Sequence, residues 1–500
     1  MPPVTKKNEA TPKTSSAPNG NAAGGATTGT NNGNTPSPGS KSASAPVAGG
    51  ATTGTNNGNP PTGDAKSTTP PAAGGATTGT NNGNPPSGDS KHAKKPLPPI
   101  GKNPHGIPDW RAEQLPFHIE SEWIDGEYKY KIVGDASAEP PPLRDSKYLT
   151  PEQSIEVYRF MLINRRMEQA LEAMYKQSKV IGGLYLSLGQ EAASCASAYA
   201  LDKDDWLGPM IRNQGSMIVK GFKPRDTMMQ YMARGTSPTK GRESGSHYGD
   251  AKELNVIAPI SHLGDSIGVC AGVALGARLQ GKNIACLAYV GDGGQSTGPT
   301  YEGFNFAAVQ KLGVVLFVEH NLWAYSTPVE LQFACKDLAD RSIGYGVPGV
   351  IVDGTDANQV YDATHEAIER ARKGEGASLI EAKFMRMKGH AMHDAAQYVP
   401  DLVKEYWRRR DCIARFRSYL IGKGWTSEEK MSALEKEVEA FINAERDIAE
   451  AAPMPDNFEA ELAEVYFPDN IDIPAKYGEV KAQGRTDRKL GESSAVTHYK

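Results

Sequence analysis

The residues of this chain best suited to chemistry stand just after two apolar runs. IACLAYV (284–290) leads into the turn GDGGQSTG, which carries Gly291, Asp292 and Gly293, and VVLFV (314–318) leads into EHNLWAYSTP, which carries Asn321. A glycine-rich turn after a strand offers backbone N–H groups to a phosphate. A carboxylate in the middle of it repels that phosphate unless a divalent cation stands between them. If the two runs are neighbouring parallel strands, Asp292 and Asn321 leave the same sheet edge. One carboxylate oxygen, one amide oxygen and a nearby backbone carbonyl are then the oxygen set that magnesium accepts while a diphosphate fills its other positions. GDG alone says little, because any strand ending in a tight turn can show it; the weight comes from Asn321 behind a second strand. A dinucleotide-binding turn needs G-x-G-x-x-G, and Ser296 stands where the third glycine belongs.

Positioning two such turns requires an α/β fold with a mostly parallel sheet. VIVDG (350–354) and LIEAKF (379–384) read as further strands buried on both faces, and 265–280, 301–311 and 357–372 read as the helices between them. In such sheets ligands bind at the carboxyl ends of the strands, so the turns at Gly291, Glu319, Asp353 and Lys388 are where a site should lie. Thr150, Pro151 and Gln153 supply a cap, a first-turn proline and a capping-box partner for a helix whose core face holds Val157, Phe160, Met161, Met167, Ala170, Leu171 and Met174.

The rest of the chain bounds the reading. Residues 1–95 hold no aromatic residue, leucine or isoleucine, and GGATTGTNNGN recurs from Gly24, Gly49 and Gly74. Repeats without an apolar face cannot stack into a solenoid, so 1–97 is expected to be a long disordered tail and tether. A proline-rich extended arm (98–149), a large folded domain (150–450) and a C-terminal extension (451–500) follow. The formal charge of −4 gives no footprint for nucleic acid, and no apolar stretch reaches membrane-spanning length. Five scattered cysteines without C-x-x-C spacing fit a reducing cytoplasm and offer no zinc site, and no secretory or transit segment is evident at the N-terminus.

The GDG turn, helix, strand and asparagine turn together resemble the thiamine diphosphate motif. GDGGQSTGPTYEGFNFAAVQKLGVVLFVEHNLWAYSTP and RMKGHAMHD, with GGLYLSLGQEAA, MIRNQG, RGTSPTKGRESGSHYGD and ISHLGDS, resemble the alpha subunit of the decarboxylating component of 2-oxo acid dehydrogenase complexes, from about residue 151 to 417. The resemblance implies the thiamine diphosphate-binding fold, with Asp292, Asn321 and the Trp323 carbonyl on magnesium. It implies that Arg212 binds the diphosphate, that Arg386 is a second phosphate-binding or loop-ordering arginine, that Leu263 is the apolar wedge bending the cofactor, and that His390 is the active-site histidine. It also implies a separate beta subunit that supplies an acid to the aminopyrimidine ring, an α2β2 assembly, and delivery of an acyl group to the lipoyl arm of an acyltransferase core. Branched-chain 2-oxo acids and pyruvate are the expected substrates. An acetoin dehydrogenase alpha subunit shares the same core, and a non-catalytic scaffold acting through the repeat tail is the alternative of a different class. Three positions depart from the family pattern: His320 replaces the first of two asparagines, Ile211 replaces an aromatic residue before the diphosphate arginine, and Ala391 replaces the serine that mitochondrial relatives phosphorylate.

Overall fold

The computed structural model of the chain describes residues 114–455 apart from 126 and 244. The expected tail, the start of the arm and most of the C-terminal extension lie outside the described residues. The described arm folds back as a β-hairpin, Phe117–Ile124 (β1) against Glu127–Gly134 (β2), and the long helix Pro151–Lys176 (α1) follows. Next come Glu191–Tyr199 (α2), Trp206–Gly208 (β3), Gln214–Lys220 (α3), Pro224–Tyr231 (α4) and Asp265–Leu279 (α5). The alternating half holds Cys286–Gly291 (β4), Gly298–Val309 (α6), Val314–His320 (β5), the ribbon Trp323–Ala324 (β6) with Thr327–Pro328 (β7), the single turn Ser342–Tyr345 (α7), Gly349–Asp353 (β8), Ala357–Arg372 (α8) and Ser378–Lys383 (β9). Asp401–Arg409 (α9), Cys412–Gly422 (α10) and Glu428–Ala451 (α11) come last.

Five strands form one parallel sheet in the order β3-β4-β5-β9-β8, so the fold is α/β with helices over a parallel sheet. Strand side chains alternate between faces, and the burial divides accordingly. Leu287, Tyr289, Val315 and Phe317 join the core shared with α1 and α2, whereas Cys286, Ala288, Val290, Val314 and Leu316 join the core beneath α5 and α6. Continuous apolar runs are what a sheet covered on both faces demands. No helix among the described residues is long and apolar enough to cross a membrane.

The four strands read from the sequence all form, displaced by up to two residues, and α8 spans the residues expected of it. β3 has only three residues and was not foreseen. Its neighbours, Asp204, Asp205 and Pro209, hide it, and its place at the sheet edge comes from parallel pairing with Cys286–Ala288. The start of α1 is as expected: Gln153 N–H donates to Thr150 Oγ1 (3.2 Å) and Thr150 N–H donates to Gln153 Oε1 (3.0 Å). Along that helix Val157, Met161, Met167, Leu171 and Met174 are buried, with Phe160 and Ala170 partly so. Because the box satisfies two helix N-terminal groups, Thr150→Ala should lower stability by about 1 kcal/mol. The urea midpoint of the intact chain measures this, and Thr150→Ser should restore most of it.

Candidate active site

Two parallel strands set the site. Gly291 pairs with Glu319, so Asp292 and Asn321 both leave the carboxyl ends of adjacent strands, as the sequence spacing requires. Asp292 and Asn321 are buried, and Asp292 Oδ2 and Asn321 Oδ1 have no hydrogen-bond partner. Burial pushes the Asp292 carboxyl up, with His320, the Gly293 N–H and Arg386 opposing. Two orphaned buried oxygens at one strand edge are costly in water-free surroundings and suit a hard cation. Among the described residues no cluster of three or more His, Cys, Asp or Glu side chains is arranged to hold a metal, so a cation here would need other donors besides such side chains, amide, carbonyl and ligand oxygens among them.

The turns themselves are shaped for close approach. A Cβ on Gly293 would lie 2.5 Å from the Ala324 Cβ, so only glycine fits between the two turns. Leu322 and Tyr325 hold positive φ values of 75° and 56°, an uncommon conformation for such side chains that marks a turn fixed by its surroundings. Between them Trp323 is buried, and its carbonyl accepts from Arg386 Nη1 at 3.4 Å.

Arg386 orders loops. It also donates to the carbonyls of Tyr325 (2.9 Å) and Lys388 (3.0 Å) and to the Tyr398 hydroxyl (2.7 Å). Arg212 lies in the turn between β3 and α3, buried, and donates to the carbonyls of Leu186 (3.1 Å) and His390 and to His390 Nδ1 (3.2 Å). Neither guanidinium has a carboxylate within ion-pair reach among the described residues. Burial, then the neighbouring Arg386, pulls the Arg212 guanidinium down to about 10. Two buried cations bonded to neutral groups leave positive charge for an anion to neutralise.

His390 stands between the rings of Tyr325 (4.6 Å) and Tyr185 (5.3 Å). Its loop is tied by Asp394, which accepts from the His390 N–H (2.7 Å) and the Tyr398 hydroxyl (2.6 Å). Burial, then Arg212 and Arg386, push the imidazole down to about 4, so it is neutral near pH 7. Arginine has no acceptor, so Nδ1 accepts from Arg212 and the ring proton belongs on Nε2. Leu263, a position that sequence alone cannot tell from core, is 45% exposed and packs beside Gly294 of the GDG turn.

Comparison with known proteins places the chain in a family. The chain matches the dehydrogenase E1 component family over residues 158–457. It belongs to that family. The 2-oxoisovalerate dehydrogenase subunit alpha of Bacillus subtilis is 35% identical over 308 residues, covering 61% of this chain and 93% of that relative. The pyruvate dehydrogenase E1 component subunit alpha of Rhizobium meliloti is 33% identical, covering 61% and 88%. Its counterpart in Staphylococcus aureus strain Mu50 is 34% identical, covering 64% and 84%. This chain is thus an E1 chain of the alpha type in the 2-oxo acid dehydrogenase group, an oxidoreductase family.

Sequence reasoning missed the buried acids of this E1 chain. Glu319 accepts from Asn213 Nδ2 (2.6 Å), Gln190 Nε2 (3.3 Å) and Ser194 Oγ (3.4 Å), and burial pushes it up to about 7 against the pull of Asn213 and Arg212. The signal was present, since a glutamate ends an otherwise apolar strand. Glu168 accepts from the Ser187 N–H (2.8 Å) and hydroxyl (2.5 Å), which fixes the segment whose Leu186 carbonyl holds Arg212. Burial, then Glu191, pushes Glu168 up from 4.5 to about 8. A raised folded pKa means a stability contribution complete below the unfolded value and lost as pH rises through the folded one. The melting temperature of the wild type should therefore fall between about pH 4.5 and about pH 8. Glu168→Gln should fall less over that window, and parallel melting curves across it would contradict the assignment.

Proposed function

We propose that this chain is the alpha subunit of a heterotetrameric dehydrogenase that oxidatively decarboxylates a 2-oxo acid of the pyruvate or 2-oxoisovalerate type. It does so with thiamine diphosphate and a divalent cation, and passes the acyl group to a lipoyl arm. The observation that carries this reading is the pairing of orphaned Asp292 and Asn321 oxygens with two buried guanidinium groups that lack carboxylates. A metal diphosphate satisfies both needs at once. Asp292, Asn321 and the Trp323 carbonyl would hold the cation, and Arg212 would meet the diphosphate. Arg386 would order the two loops around it, and Gly291 and Gly293 would keep the turn open. Leu263, exposed beside the turn, would support the bent cofactor. When bound, thiamine diphosphate supplies the electron sink for loss of carbon dioxide from the 2-oxo acid.

The chain's own part near the reacting atoms is His390. Its Nε2–H is free to donate while Nδ1 is held by Arg212, so it places one proton at one atom, where a substrate or lipoyl oxygen or sulfur can take the bond. The acid that serves the aminopyrimidine is assigned to a beta subunit, and the acyl acceptor to a separate acyltransferase core. The absence of paired cysteines among the described residues, with all five free, supports a cytoplasmic site of action.

Replacing His390 by Ala should leave thiamine diphosphate affinity within a few fold and lower turnover by about 10²–10⁴, the contribution of a positioned proton-transfer group. Steady-state assay of the complex with pyruvate and 2-oxoisovalerate, beside a cofactor titration, separates the two effects. The purified chain alone should show no useful decarboxylation of either acid, and addition of its beta subunit should restore it. Robust turnover by the single chain would defeat the two-subunit reading.

A further inference from the structure

The last residue of β5 is the one strand-edge position where this chain departs from the asparagine pair of its family pattern. His320 is 5% exposed there, between Glu319 and the candidate ligand Asn321. Its Nδ1 lies 2.6 Å from Glu381 Oε1, and the other Glu381 oxygen accepts the Ala339 N–H at 2.8 Å. Lys383, two residues further along the same strand, is bonded to Asp337. With Nδ1 engaged by the Glu381 carboxyl, Nε2 is the ring nitrogen left to meet a further group. The edge of Phe333 packs on the imidazole, with centroids 5.8 Å apart and planes at 80°, which resists a ring flip.

That nitrogen has no partner. His320 Nε2 is buried without a partner, as are Asp292 Oδ2 and Asn321 Oδ1. The three belong to neighbouring positions, since Gly291 and Glu319 are paired and Asp292 and His320 follow them on adjacent strands. A histidine serving only the core would have both nitrogens satisfied, and leaving one buried and unpaired is unfavourable. A carboxylate that fixes Nδ1–H while Nε2 stays free is the arrangement found behind metal-bound histidines.

We infer that His320 is a further ligand of the cation held by Asp292 and Asn321, and that the site takes a transition-series divalent ion such as Mn2+ or Co2+ in preference to Mg2+. The inference rests on the proposed cofactor site and deepens it. Imidazole nitrogen favours the later first-row ions, whereas an all-oxygen set favours Mg2+. Glu381 acts through His320 as a positioning residue, holding the tautomer that leaves Nε2 available.

The test uses the complete complex with its beta subunit, thiamine diphosphate and Mn2+ as the probe, read by electron spin echo envelope modulation. The wild type should show nitrogen modulation from a coordinated imidazole, which changes when histidine is labelled with nitrogen-15. His320→Asn, which exchanges the imidazole for an amide, should still bind Mn2+ but lose the modulation, and its preference for Mn2+ over Mg2+ should fall about tenfold, the lower end of what disturbing a ligand shell does. Glu381→Gln should weaken the modulation while keeping His320 in place. Cofactor-dependent Mn2+ binding without histidine modulation in the wild type overturns the inference and leaves the cofactor site standing. No cofactor-dependent Mn2+ binding at all overturns both.

Discussion

Parallel pairing of Cys286–Gly291 with Val314–His320 is the constraint on which the site depends. The register brings Asp292, His320 and Asn321 to one edge, and a slip of one residue would turn every alternate side chain to the opposite face. What holds the register is the two-sided core: Leu287, Tyr289 and Phe317 pack towards one helical layer and Ala288, Val290 and Leu316 towards the other. The apolar runs that bury the sheet are thus the same residues that aim the polar edge. Gly293 and the positive-φ residues Leu322 and Tyr325 then bend the chain sharply, where a regular turn would carry the ligands away.

The electrostatics around this edge are unbalanced in a patterned way. Buried ions elsewhere are paired: Arg410 and Arg415 with Asp353, Arg165 with Glu191, and Lys383 with Asp337. Arg212 and Arg386 are buried but bonded to carbonyls, a histidine and a tyrosine, while Asp292 Oδ2 and Asn321 Oδ1 have no partner. A fold under no demand for ligand binding would pair such groups or replace them by apolar ones. Burial and the same unbalanced charge of Arg212 and Arg386 act on His390 and keep its ring neutral.

Much of this was legible in the sequence because strong local patterns and tertiary demands agree. The strand before Asp292 is continuously apolar, and Asp356 stands just before α8, where its side chain caps the Asn358 and Gln359 N–H groups. Asp292, Asn321, Arg212, Arg386 and His390 were marked by their places in recognisable motifs, and the structure gathers them at or beside the carboxyl edge. The hairpin was hidden because its strands are polar and half-exposed, although Asp125-Gly126 between them is a strong turn signal. Glu168 and Tyr185 left no sequence signal. A glutamate on the buried face of α1 reads as helix polarity, and its meaning appears only when Ser187 and Arg212 arrive from other segments. His320 was visible as a departure from the family pattern, but only Glu381, sixty-one residues later, gives it a direction.

The central claim is that Asp292 carries the cation through which the diphosphate is bound. Calorimetric titration of thiamine diphosphate with a divalent cation into the assembled complex, wild type against Asp292→Ala, tests it most directly, with circular dichroism to check that the fold is retained. The variant should remain folded and lose cation-dependent cofactor binding. A folded Asp292→Ala protein that binds the cofactor with wild-type affinity and the same cation dependence would contradict the account.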